Sequence, residues 1–475
     1  MKIVVLGAGV IGTTSAWYLA RSGHEVLVID RQPEPALETS FANGGQISVS
    51  HSEPWANPTA PLKFLQWFGR EDAPLLFRPQ LDPAQWLWGL RFLWECLPAR
   101  VRRNTESALS LAVYSRDRLR ELRRETGIRY ESLARGILHL YEERRDFEHA
   151  RIQVDLLRTR GLNIELKTPE ECAAVEPALA HSKTRFIGGA YAPSDESGDA
   201  QLFTRNLAGI CASNGVGFRY NISAKHIEIA RGRVERVVID DESGIEESLR
   251  ADAYVVANGS YSPFLLRPIG VHAPVYPVKG YSITLSLGPE DVAPYTSITD
   301  HSRKIVFSRL GKRLRVAGTA EFAGYNTEIN EVRCEALVSR ALDLFPRIAR
   351  PEDAHFWTGL RPATPGNLPL IGRTRYPNLY LNTGHGTLGW TLACGSGQAL
   401  ADIVSGRRPG PVFGFLGVAQ KERERPLLSL PPDRRPFRLF RAACCSLLRS
   451  HEPGFGYRLH GKVANEVRQC EQGLV

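Results

Sequence analysis

Residues 2–30 read KIVVLGAGVIGTTSAWYLARSGHEVLVID. Residues 2–6 are a continuous apolar run of strand length, and the next six match G-x-G-x-x-G. Residues 12–23 carry the apolar spacing of an amphipathic helix, and 24–30 form a second buried strand. The reading is a βαβ unit with its glycine turn where strand becomes helix. Gly7 permits the tight turn, Gly9 lets backbone approach a pyrophosphate, and Gly12 lets the helix lie close to the sheet. The helix start offers N–H groups and a partial positive charge to phosphate oxygens. Asp30 stands 18 residues after Gly12, placed to accept from a ribose hydroxyl. Candidate contacts to an ADP-containing dinucleotide therefore run through Val4, Val5, Leu6, Gly7, Ala8, Gly9, Val10, Ile11 and Gly12 to Asp30 and Arg31.

The fingerprint alone does not separate FAD from NAD. Residues 382–397, NTGHGTLGWTLACGSG, do. A glycine-rich loop entering a helix can aim several N–H groups at one acceptor. A reduced flavin carries negative charge at its pyrimidine end, and a helix N-terminus there stabilises it. A bound NAD needs no second loop of this kind, so FAD is the expected cofactor. Gly384, Gly386, Thr387 and Gly389 are the expected backbone donors, with His385 an accessory. No metal is expected: His385 and Cys394 lack further ligands at a zinc spacing. Nothing nearby marks Cys394 as activated, and it reads as a packing residue.

Nucleotide-binding pieces thus stand at the start and end of the chain, and a third α/β stretch lies near 201–262. Strand-like segments begin at 136, 185, 277, 304 and 313, and helical ones at 83, 105 and 143. The expected fold class is α/β. It is a discontinuous Rossmann-type FAD-binding domain (1–50, 199–263, 351–409) with an interleaved α+β substrate domain on an antiparallel sheet (51–198, 264–350). Residues 410–475 are Arg- and Pro-rich and read as a divergent, poorly ordered basic tail, with one short helix around 437–450. The chain has 475 residues, more than one core usually serves, and a formal net charge of +9. That charge permits nucleic acid or an anionic membrane as partner, but no aromatic-basic RNA-binding signature is present, so no nucleic-acid partner is expected. The eight cysteines show no C-x-x-C pair, which fits free thiols in a reducing cytoplasm. The N-terminus reads as strand and turn, with no signal-peptide cleavage site.

Seven stretches carry a family resemblance: VVLGAGVIGTTSAWYLARSGHEVLVIDR, ETSFANGGQIS, PSDESGDAQLFT, NGSYSP, YPVKGYS, FWTGLRPATP and NTGHGTLGWTLACGSGQ. Over residues 1 to about 407 the sequence resembles the small-subunit type D-amino acid dehydrogenases of bacteria. These belong to the FAD-dependent group of glycine oxidase, sarcosine oxidase and D-amino acid oxidase. The resemblance implies oxidative deamination of D-amino acids, as in D-alanine degradation, by hydride transfer to flavin N5. It further implies electrons passed to a quinone or other respiratory acceptor. It places Ser40, Asn43, Gly44, Gln46 and Gly259 at FAD, and Arg361 at the substrate carboxylate, where a guanidinium fork suits the geometry. Tyr281 is the candidate substrate-pocket wall or hydrogen-bond donor, with a buried structural tyrosine as the competing reading.

Three departures from the family pattern stand out. Val49, Ser50 and His51 replace the usual Pro-Gly-Tyr, Asn258 replaces a small or apolar residue, and Gly366-Asn367 replace an Asp-Gly turn. The first bears on substrate range. Trp55, Trp67, Trp86, Trp88 and Trp94 cluster in the chain, and Trp86, Leu87, Leu90, Leu93, Trp94 and Leu97 share one helical stripe. Core or interdomain packing is the favoured reading. Peripheral contact with the cytoplasmic face of a membrane is the alternative. A glycine- or sarcosine-type amine oxidase using oxygen is the alternative activity. A basic nucleic-acid-binding flavoprotein is the alternative from another class.

Overall fold

The computed structural model describes residues 1–418 apart from 52, 68, 72, 242, 349 and 350. The expected helix near 437–450, and the tail from 419, lie outside the described residues.

The opening stretch folds as read: β1 (Lys2–Leu6), α1 (Val10–Arg21) and β2 (Glu25–Ile29). β1 sits inside a six-stranded sheet in the order Leu370–Arg373, Leu379–Thr383, Ala253–Val256, β1, β2, Gly217–Arg219. All its pairings are parallel except that of the first two strands, which is antiparallel. A strand inside a parallel sheet is covered on both faces, which is why KIVVL shows no polar alternation. Ile3 and Val5 pack toward α1, Ala200–Ser213 and Gly389–Val404, whereas Val4 and Leu6 pack toward the three-stranded meander of Ser223–Ala230, Arg233–Asp240 and Glu246–Leu249. The glycine turn leaves β1 at its carboxyl end. On one side β1 is flanked by β2 and on the other by Ala253–Val256, far along the chain, so the turn opens at the point where strand order reverses.

The second sheet runs His355–Ala363, Tyr276–Ser286, Arg313–Phe322, Ile305–Leu310, Ser297–Asp300, Ile137–Tyr141, Gly188–Ala192, Glu165–Lys167. It is mixed rather than antiparallel throughout: Ser297–Asp300 pairs parallel to Ile137–Tyr141, and Leu75–Phe77 parallel to Arg313–Phe322. One face carries Tyr281, Ile283, Leu285 and Phe307 against Cys334 and Leu337 of the helix Glu331–Leu344. The other face turns toward the loop that follows β2. Asp199 links the two sheets: it caps Ala200–Ser213 through Leu202 N (3.0 Å) and accepts from Arg313 Nη2 (2.8 Å).

Two boundaries move. His355–Ala363 pairs with Tyr276–Ser286, so 351–363 goes with the large sheet rather than the dinucleotide sheet. Residues 410–418 are packed, not tail-like: Phe413 and Phe415 are buried, and Leu416 N donates to Ile371 O (2.8 Å). We propose a two-lobe division with these changes: 1–50, 199–263 and 364–418 as the FAD-binding lobe, 51–198 and 264–363 as the substrate lobe.

Candidate active site

The glycine turn shows why each glycine is needed. Gly7 adopts φ +109°, and a Cβ there would lie 2.7 Å from Ala257 O. A Cβ on Gly12 would lie 1.8 Å from Gly7 O, an overlap no relaxation absorbs. Gly9 has only Ser40 Oγ nearby, at 3.5 Å, so its outer side stays clear. Helix α1 has no acidic residue in its first turn, and its only side-chain cap is Ser40 Oγ, which accepts from Val10 N (3.1 Å). Asp30 accepts from Ala8 N (2.6 Å) through one oxygen and Gln32 N (2.8 Å) through the other, which leaves lone pairs on both. Arg31 is tied to Glu38 (Nε···Oε1 2.9 Å) and lies over Tyr261, 3.9 Å from its ring centre. Val4, Val5 and Leu6 correct the sequence reading. Each side chain has zero exposure, so these residues support the turn from below and present nothing to a ligand.

The far loop returns beside this turn. Gly384 (φ +80°) and Gly386 (φ +53°) bracket His385, and a Cβ on Gly384 would lie 2.7 Å from Thr364 Cγ2. The helix Gly389–Val404 begins without a side-chain cap or a first-turn acid. It packs directly on α1: Thr14 Oγ1 donates to Ala393 O (3.1 Å), and a Cβ on Gly397 would lie 2.9 Å from Thr14 C. Gly395 is pressed equally hard on Ser115. The five glycines thus divide their work. The first three serve the loop, and the last two let helices touch, a role that local sequence does not signal. Thr387 is exposed, and Cys394 is buried with its thiol pushed up to about 12 by burial, as suits a packing residue.

His385 is 2% exposed, and neither ring nitrogen has a partner among the described residues. Burial lowers its pKa to about 3, so the ring is neutral, with one donor and one acceptor unmet. Asn258 Oδ1 and Asn382 Oδ1 are likewise buried without partners. Each such atom costs about 1–3 kcal/mol unless something polar meets it. Two helix starts without a first-turn acid, glycines cleared of side chains and orphaned polar atoms fit a dinucleotide with a polar ring system.

The loop after β2 reaches the large sheet. Asn43 Oδ1 accepts from Gly45 N (2.9 Å), and Asn43 O accepts from Arg315 Nη1 (3.2 Å). A Cβ on Gly44 would lie 2.7 Å from Val306 Cγ2. Gln46 Nε2 donates to Ser297 Oγ and Thr299 Oγ1, both at 3.0 Å. Gly259 (φ +53°) closes the turn beside Pro362.

Arg361 lies on the same sheet face. Val306 pairs with Ala317, Ala317 with Ser282, and Val278 with Arg361; residues paired across strands, or two apart on one strand, share a face. The half-buried guanidinium donates to Thr319 O (2.7 Å) and Gly318 O (3.4 Å), and makes no ion pair among the described residues. Burial, with Arg333 nearby, lowers its pKa to about 10, still fully charged at neutral pH. A Cβ on Gly280 would lie 2.3 Å from Arg361 Cζ, so glycine at 280 makes room for the head group. The two carbonyls come from a β-bulge: two residues, Thr319 and Ala320, stand between Gly318 and Glu321 where only Gly280 stands between Tyr281 and Lys279. Thr319 takes φ +55° there, a left-handed conformation costly for a β-branched residue. Its Oγ1 is buried and unpartnered. Neither glycine spacing nor composition signals this residue.

Tyr281 is the second correction. It pairs with Thr358, an odd step from the Val278–Arg361 pair, so it points to the opposite face. There it is 1% exposed, bonds Glu321 through its hydroxyl and lies under Arg333. It is a core tyrosine and cannot line a pocket shared with Arg361.

The comparisons with known proteins agree with this geometry. The family model for FAD dependent oxidoreductases matches residues 2–403. The D-amino acid dehydrogenase of Dechloromonas aromatica (strain RCB) is 57% identical over 416 residues, 88% of this chain and 100% of that protein. That of Paramagnetospirillum magneticum is 51% identical over 419 residues, 88% of this chain and 98% of its own. Among solved structures, glycine oxidase from Geobacillus kaustophilus superposes with a TM-score of 0.66 at 22% identity, covering 86% of this chain and 96% of that one. The chain belongs to the FAD-dependent oxidoreductase family and, within it, to the D-amino acid dehydrogenases.

Proposed function

We propose that the protein oxidises D-amino acids at Cα, giving a 2-oxo acid and ammonia after water adds to the imino acid. The observation that carries this reading is Arg361: a charged fork with no acidic partner among the described residues, aimed by two carbonyls on the face that meets the 40–46 loop. A carboxylate is the planar anion that a fork of this kind binds. Bound FAD supplies the hydride acceptor. Ser40, Asn43, Gly44, Gln46, Gly259 and the 384–389 loop are the residues that would hold it, with Ala8 to Gly12 and Asp30 at its nucleotide end. What remains for the protein is to fix the carboxylate, exclude water and hold Cα in line, so catalysis is chiefly positioning.

Electron delivery to a quinone or other respiratory acceptor is the finer part of the proposal, as is contact with the inner face of a membrane. The exposed stripe supports the latter. The helix Pro83–Glu95 buries only Gln85 and Trp88, while Trp86 (52% exposed), Leu90 (66%) and Trp94 (48%) face outward. The favoured core-packing reading of that stripe is therefore overturned. No helix among the described residues is long and apolar enough to cross a membrane.

Anaerobic addition of D-alanine should bleach the flavin, and L-alanine should not. The reduced enzyme should reoxidise faster with a quinone analogue than with air; rapid reoxidation by air would make it an oxidase instead. In Arg361→Ala, KM for D-alanine should rise by roughly 100-fold, the loss of about 3 kcal/mol for a charged hydrogen-bonded pair. Bound FAD should be unchanged. An unaltered KM would remove Arg361 from the substrate site.

A further inference from the structure

The loop that departs from the family pattern at Ser50 and His51 meets two other histidines. His139 lies on Ile137–Tyr141 and His301 just past Ser297–Asp300, adjacent strands in parallel register. One ring nitrogen from each of His51, His139 and His301 lies within 4.8 Å of the other two. His139 Nδ1 and His301 Nε2 are 3.0 Å apart. Two imidazoles on one tetrahedral zinc have their nitrogens about 3.3 Å apart. The His139–His301 pair is already near this spacing, and no pair needs a side-chain adjustment above about 1.5 Å.

The surroundings select the ligand form. His139 Nε2 faces Ser50 Oγ (3.3 Å), which donates to Asp195 Oδ2 (2.6 Å). Asp195 is 2% exposed and also accepts from Val49 N, Ser50 N and Ser48 Oγ. With the hydroxyl committed to Asp195, Nε2 of His139 is the donor and its Nδ1 lone pair turns inward. Carboxylates that orient metal-bound histidines act in this way, here through one hydroxyl. His301 is held flat against Tyr141, with ring centres 4.5 Å apart. The opposing charges are Lys304 and Lys63; Asp146, Glu53 and Asp300 counter Lys304.

We infer that His51, His139 and His301 form a site for one divalent late first-row transition ion, of which zinc is the probe. An ion there ties the segment after the flavin loop to the substrate-lobe sheet. The site is four strands from the one that carries Arg361, roughly 19 Å by strand spacing, so it is separate from the carboxylate fork.

Holoenzyme stripped with a chelator, with FAD verified by its spectrum, is dialysed against zinc and analysed for metal. One equivalent per chain is expected, with a rise in Tm. His51→Gln and His301→Gln should each lose the equivalent while keeping FAD, and His226→Gln, on an exposed meander strand, should retain it. Ser50→Ala should weaken binding by roughly 10- to 100-fold. Wild type that retains no zinc, or retention equal in wild type and both glutamine variants, overturns the site. If one glutamine variant fails to fold, zinc retention by the other decides between the same two outcomes.

Discussion

Single residues carry the sharpest energetic statements, and His385 is one. Its folded pKa of about 3 lies below the ordinary 6.5. As pH falls below about 6.5, the unfolded chain takes up a proton that the folded chain refuses. Stability is therefore present above pH 6.5 and is lost down toward pH 3, at about 1.4 kcal/mol per pH unit for this one group. Denaturant titrations of the holoenzyme between pH 6 and 4.5 should show His385→Asn with a slope shallower by one proton. Equal slopes would mean that His385 titrates normally. Thr319 is the complementary case. Thr319→Gly removes left-handed strain worth about 1–3 kcal/mol but adds chain entropy of about 1 kcal/mol. Net stability should change little or rise. The Thr319 carbonyl then loses its fixed direction, and KM for D-alanine should rise several-fold with kcat nearly constant. A fall in both Tm and kcat, without a KM change, would assign Thr319 to structure alone.

At the scale of elements, the two helices that start at the glycine loops stand or fall together. α1 and Gly389–Val404 touch through Gly397, whose added Cβ would sit 2.9 Å from Thr14 backbone. Gly397→Ala should spread the helices, cost about 1–3 kcal/mol of stability by overpacking, and weaken FAD retention. Gly209→Ala, on the helix Ala200–Ser213, is the control: its Cβ meets nothing within 4 Å, and FAD loss on dilution should stay near wild type. Equal behaviour of the two variants would disprove the division of roles. The βαβ unit, five strands of the large sheet and the two glycine loops are legible in the sequence because alternation and periodicity are local. What local sequence does not contain is partner choice. The parallel pairing of Ser297–Asp300 with Ile137–Tyr141 joins segments 160 residues apart, and only that pairing brings His139 to His301. The bulge that puts Thr319 at φ +55° is likewise set by register, not by its own side chain.

For the whole molecule, the same limit explains the one reversed surface. A helix with an apolar stripe looks alike in sequence whether the stripe meets a core or the outside, so the pattern over residues 86–97 does not fix its direction. In the fold the stripe faces out: Leu87, Leu90 and Leu93 are all exposed, and the next helix in the chain begins with exposed Arg102 and Arg103 in its second turn. An exposed apolar stripe on a basic protein is what an anionic bilayer surface accepts. If each leucine buries about half of its side chain in lipid, it contributes roughly 1 kcal/mol, so the three contribute about 3 kcal/mol. Leu87→Ser, Leu90→Ser and Leu93→Ser combined should lower partitioning onto anionic vesicles by about 100-fold at low salt. All three lie outside the FAD and Arg361 neighbourhoods, so turnover of D-alanine with a soluble dye should stay at the wild-type rate. Turnover with a quinone dissolved in the vesicles should fall, because enzyme and acceptor no longer share a surface. Vesicle binding that survives the triple change would move the contact elsewhere. Wild type that ignores anionic vesicles at low salt would leave electron delivery to a soluble carrier.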